Sequence, residues 1–137
     1  PDAYAHCQIP CGIYDDDARF TLLEEHITTI EKSMNLVTEL SSEPAENANQ
    51  LVRWTVNKED HADQLAEIVT KYFLQQRIKP VAEVDGEGVD EYLRQLRLCH
   101  EILVASMKAK QTTDLQYVEQ LKSLVAAFRT AYLEAKG

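Results

Sequence analysis

Three side chains near the start of the chain could do chemistry together. His6, Cys7 and Cys11 fall within the segment His6-Cys7-Gln8-Ile9-Pro10-Cys11-Gly12-Ile13-Tyr14. Thiolate and imidazole are good ligands for late transition metals. Zinc favours four side-chain ligands, commonly as two pairs, and only three are local here. Backbone nitrogen donors would complete a planar set, and square-planar nitrogen and sulfur ligation favours nickel or copper(II). Taken on their own, Cys7 and Cys11 more often form a local disulfide or stay plain thiols than bind a metal. Pro10 and Gly12 disfavour helix across this stretch and let it fold back on itself.

The elements behind the segment read as helices. Phe20, Leu23, Ile27, Ile30, Met34 and Val37 recur at steps of three and four, predicting a helix from about 16 to 40. Asp15 or Asp16 is its expected cap. A second helix is expected from about 45 to 76, with a stripe of Leu51, Val52, Val56, Ala62, Leu65, Val69 and Tyr72 and a candidate break near Asn57. Pro80, Gly86 and Gly88 mark 77–88 as a connection. A third helix, about 89 to 110, carries Leu93, Leu96, His100, Leu103 and Met107 on its apolar face. Thr113 and Gln116 suggest a capping box for a fourth, with Val118, Leu121, Val125, Phe128 and Tyr132 facing inward. Four amphipathic helices with mostly short connections predict an all-α, antiparallel four-helix bundle, preceded by an irregular N-terminal metal-binding hook. The expected organisation is a leader remnant at 1–5, a hook at 6–14 and a bundle at 15–137.

Composition narrows the partners. The 137 residues carry a net charge of −9, with a pI near 4.8. There is no basic stripe, which argues against nucleic acid. No apolar run reaches the length of a membrane span. Three cysteines are too few for a disulfide scaffold. Cys99, alone in a helical pattern, reads as a small buried apolar residue. Few cysteines fit the cytoplasm, which is the expected compartment, although the Ala3-Tyr4-Ala5 pattern equally fits export.

The pattern His6-Cys7-x-x-Pro10-Cys11-Gly12-x-Tyr14 resembles the nickel hook of the nickel superoxide dismutases over nine contiguous residues. Lys58-Glu59, Lys79-Pro80 and the helix pattern extend the resemblance along most of the chain. The resemblance implies one nickel ion per subunit. Its ligands would be both thiolates, the Cys7 amide nitrogen, the His6 α-amino group and, in the oxidised state, the His6 imidazole. It implies conversion of superoxide to dioxygen and hydrogen peroxide by Ni(II)/Ni(III) cycling. It further implies a homohexamer, a gating and positioning role for Tyr14, and a cis Pro10.

The family needs a free α-amine on the residue matching His6. Ala3-Tyr4-Ala5 precedes it, an A-x-A pattern of the kind cut by leader peptidases. While Ala5 is attached the His6 nitrogen is an amide and a far poorer ligand. An uncut chain is therefore expected to be inactive, with a hook that is metal-free, disordered or disulfide-closed. Other members carry an arginine near the position of His61 and a second tyrosine near the site. Tyr72 is one candidate for the latter, but a gapless reading against Lys79-Pro80 puts Arg77 there.

The remaining residues have plainer readings. His100 is expected to be a hydrogen-bonded core histidine, and His61 a surface or interface residue. Trp54 and the pair Tyr72-Phe73 are expected in the core or at a subunit contact. Arg19, Arg53, Lys58 and Arg77 are the candidate sources of a local positive field for an anionic substrate. Two other functions compete with the enzyme: a nickel-binding protein without turnover, and a helical interaction module with a structural Cys7–Cys11 disulfide.

Overall fold

The computed structural model describes residues 16–82 and 86–136. Helix α1 spans Asp17–Leu40, α2 spans Pro44–Glu67, α3 spans Val89–Gln111 and α4 spans Gln116–Glu134. Helix α2 passes directly into a π-helical segment, Ile68–Arg77. No strand occurs among the described residues. Cross-helix pairs run in opposite directions along neighbours: Asn57 meets Ser33 while His61 meets His26, and Ala62 meets Ser106 while Lys58 meets Lys110. The fold is thus an antiparallel four-helix bundle, as expected.

The ends of α1 and α4 differ from the expected caps. Asp16 occupies the cap position of α1 but makes no side-chain cap bond. At α4 the carboxylate of Asp114, not Thr113, takes the Gln116 N–H at 2.9 Å, and Thr112 Oγ1 takes the Asp114 N–H at 3.1 Å. An ionised acceptor outcompetes a hydroxyl for a backbone donor. Gly88, at φ +83°, provides the left-handed turn into α3.

The expected stripe of α1 is buried from Phe20 to Met34, and that of α4 throughout. Two other stripes differ. In α2, Val52 and Val56 are 64% and 51% exposed, and residues 44–57 have no buried side chain. The reason is length: α3 ends where Lys58 meets it, so earlier residues of α2 lack its cover. Lys58 is itself buried, its Nζ donating to the carbonyl oxygens of Lys110 and Thr112, both at 2.8 Å.

In α3 the buried residues are Gln95, Cys99, Ile102, Ala105, Ser106 and Ala109. Leu93 and Met107 are 54% and 50% exposed, and His100 is exposed rather than in the core. Small residues let α3 approach α2 closely enough for Ser106 Oγ to donate to the Ala62 carbonyl at 2.7 Å. Leu93 and Met107 turn outward, while Leu96 and Leu103 pack partly buried against the core.

The second helix runs unbroken through Asn57, the candidate break, as the single element expected. Asn57 donates to Ser33 Oγ at 3.0 Å, tying α2 to α1. The helical ladder changes later, at Ile68, where Thr70 Oγ1 donates to the Ala66 carbonyl. A hydroxyl bonded to the carbonyl four residues back competes with the α-helical ladder. The segment ends with the Ile78 N–H bonded to the Phe73 carbonyl five residues earlier, at 2.9 Å.

Candidate functional site

Residues His6, Cys7, Pro10, Cys11 and Tyr14 lie outside the described residues. The described chain starts at Asp16, two residues after Tyr14 in sequence, and that residue is the hub of the best-connected polar cluster. Its carboxylate is buried, at 9% exposure. Tyr72 donates to Oδ1. Oδ2 accepts from Tyr132 at 2.9 Å, from Arg77 Nη2 at 3.1 Å and from Lys136 Nζ. Arg77 Nε also donates to the Tyr132 hydroxyl at 3.1 Å.

The π-helical segment explains how Tyr72 and Arg77 both reach Asp16. In an α-helix, residues five apart point roughly 140° away from each other, at about 100° per residue. A ladder of i→i+5 bonds brings them toward one face. The two candidates that compete for one position in the sequence therefore meet at the same carboxylate. Beneath them Phe20, Phe73, Phe128 and Tyr132 pack with ring centroids 4.9–5.9 Å apart. That aromatic floor carries about 0.5–1.5 kcal/mol per pair beyond its buried area, and makes the platform rigid.

Electrostatics keep the cluster charged as drawn. Burial opposes the charge on Asp16, but the hydrogen bonds from Lys136, Tyr72, Tyr132 and Arg77 outweigh it and hold the carboxyl well below the usual range. Burial raises both phenols above the ordinary tyrosine value. The Asp16 carboxylate adds to that rise, while Arg77 opposes it. Both hydroxyls therefore stay protonated as donors. Beside the cluster lies a cleft of about 350 Å³, lined in part by Arg77, Lys79, Tyr92, Tyr132 and Lys136. Arg19 lies 5.1 Å from the Tyr72 ring centroid. Of the four expected sources of positive field, Arg19 and Arg77 are at this end, and Lys58 is buried against the end of α3.

The remaining candidates separate cleanly. Cys99 is fully buried, and burial pushes its thiol up to about 12, so it is no thiolate ligand. Among the described residues, no group of three His, Cys, Asp or Glu is placed to hold a metal ion. Trp54 is half-buried under Lys32, whose Nζ is 5.6 Å from the ring centroid, while Tyr72 and Phe73 are core residues. His61 pairs with His26, their Nδ1 atoms 2.8 Å apart. Sequence reasoning missed Asp16, Tyr132 and Lys136 as one unit. The only signal was the acidic run Asp15-Asp16-Asp17 beside the hook, which read as helix capping.

The donor chemistry of His6, Cys7 and Cys11, two soft sulfurs beside an imidazole, fits nickel. A family model described as nickel-containing superoxide dismutase matches residues 1–136. No curated protein and no solved structure matches the chain.

Proposed function

The chain belongs to the nickel-containing superoxide dismutase family, and on that premise we propose that His6, Cys7 and Cys11 hold its nickel, one ion per subunit. It is an oxidoreductase whose substrate is superoxide. Nickel bound there supplies a one-electron Ni(II)/Ni(III) couple, by which two superoxide ions and two protons become dioxygen and hydrogen peroxide. The observation that carries this reading is the family match over residues 1–136, which includes every donor of the hook.

The chain's own residues divide the remaining work. The Cys7 and Cys11 thiolates, with main-chain nitrogen, are the electron-rich donors that make the trivalent state accessible. Tyr14 orients small ligands by hydrogen bonding. An unperturbed phenol, with a pKa near 10, is too weak an acid at neutral pH for direct proton delivery to be its task. Arg19, Arg77, Lys79 and Lys136 offset the acidic total charge at this end and attract the anionic substrate. A peptidase cut between Ala5 and His6 frees the α-amine that the site needs. The outward residues Leu93 and Met107 on α3 support self-association, and the assembly we propose is a homohexamer. No helix among the described residues is long and apolar enough to cross a membrane; the compartment we propose is the cytoplasm.

Electron paramagnetic resonance tests the ligand set. Nickel-loaded protein beginning at His6 should give a trivalent nickel signal. Cys7→Ser and Cys11→Ser should each abolish that signal and reduce turnover to background. A parent protein without the signal, or variants that keep it, would overturn the assignment.

A further inference from the structure

Resting on that reading of the hook, we propose that Asp16 anchors the hook to the bundle, and is a positioning residue for the metal site rather than a helix cap. An aspartate at a helix cap position ordinarily contributes about 1 kcal/mol by bonding the first free N–H groups. Asp16 sits at that position and makes no such bond. Its carboxylate turns instead to donors from three separate parts of the chain: Tyr72 and Arg77 on the π-helical segment, Tyr132 on α4, and Lys136 beyond α4. Tyr72 uses Oδ1, and the other three donors converge on Oδ2.

The next residue is tied down too. Asp17 Oδ1 accepts from Arg129 Nη2 of α4 at 2.8 Å. The point where the hook joins the bundle is thus held from several directions over the rigid aromatic floor. Only two peptide units, about 7 Å of chain at full extension, separate Asp16 from Tyr14. Cys11 is five residues away. A metal site needs its ligands placed within about 0.5 Å, and residues that orient ligands typically change metal affinity 10–100-fold when replaced. Asp16 provides that fixed root. Tyr72, Tyr132, Arg77 and Lys136 act through it.

The test compares nickel-loaded proteins beginning at His6: the parent, Asp16→Asn, the double variant Tyr72→Phe/Tyr132→Phe, and Lys58→Met as a control that weakens the bundle at the end of α3. Three quantities are read: the rate of nickel loss to a chelator, the paramagnetic line shape, and the melting temperature. Asp16→Asn and the double variant should release nickel about tenfold faster or more and change the line shape. Lys58→Met should lower the melting temperature at least as much, yet keep the parent's release rate and line shape.

The anchor is overturned if the Asp16→Asn and double variants match the parent in release and line shape, or if Lys58→Met moves them equally. Should Asp16→Asn not fold, the double variant decides alone, because it leaves the carboxylate and both cations in place. A parent that holds no nickel removes the reading of the hook and the anchor together. A parent that holds nickel beside unchanged variants removes only the anchor.

Discussion

His26 and His61 face each other across α1 and α2, with Nδ1 atoms 2.8 Å apart. At that distance one nitrogen must donate and the other accept, so the contact holds a single proton between them. Burial, then the neighbouring His61, push His26 below the ordinary imidazole value, and Glu25 opposes them. The sign follows from which state binds the proton more readily. With the folded value depressed, the unfolded chain takes up the proton first as pH falls through about 6.5. The contribution is whole above that value and is lost toward the lower folded value. Melting temperature should therefore fall on acidification from neutral pH, and His26→Gln should make the fall shallower. Thermal melts of both proteins across this range check it; parallel curves would contradict it. Asp16 makes the complementary point about single residues. Its type suggested a cap, and only the fold shows that stronger donors claim it.

Helix α3 shows what periodicity leaves open. Leu93, Leu96, His100, Leu103 and Met107 keep helical spacing, and so do Gln95, Cys99, Ile102, Ser106 and Ala109. Either face could turn inward. The close approach of α3 to α2 at Ser106 and Ala62 selects the one with small side chains. Of the other, Leu96 and Leu103 still pack partly buried against the core, while Leu93 and Met107 stand exposed, where Leu93→Asp with Met107→Asp should disturb the subunit fold by no more than about 0.5 kcal/mol per site. If this face joins subunits, the double variant should keep its helical circular dichroism but sediment as a smaller species than the parent. An unchanged mass, or a parent that is already monomeric, would contradict that role. Helices α1 and α4 were legible because each has one apolar face and a neighbour along its buried length. Less legible was the π-helical segment, since the same residues in an α-helix would send Tyr72 and Arg77 apart. The length of α2 beyond α3 likewise has no local signature, which is why Val52 and Val56 read as core and stand exposed.

At the scale of the whole molecule, our proposal makes the bundle a scaffold and gives the chemistry to the short segment that precedes it in sequence. The helices gather Arg19, Arg77, Lys79 and Lys136 at the end where the hook enters, in a chain whose total charge is −9. The family was legible without the fold from the nine-residue hook pattern taken whole, because two cysteines and a histidine alone would equally suit a local disulfide. What the bundle adds, a charged and rigid root at Asp16, depends on residues more than 50 positions away in sequence and could not be read locally. The most direct measurement is the decay rate of superoxide with protein beginning at His6, nickel-loaded and metal-free, beside nickel-treated protein that retains residues 1–5. Rapid, catalytic decay is expected from the first alone, with the other two at the rate of buffer. Equal decay with the nickel-loaded and metal-free proteins would contradict nickel-dependent dismutation by this chain.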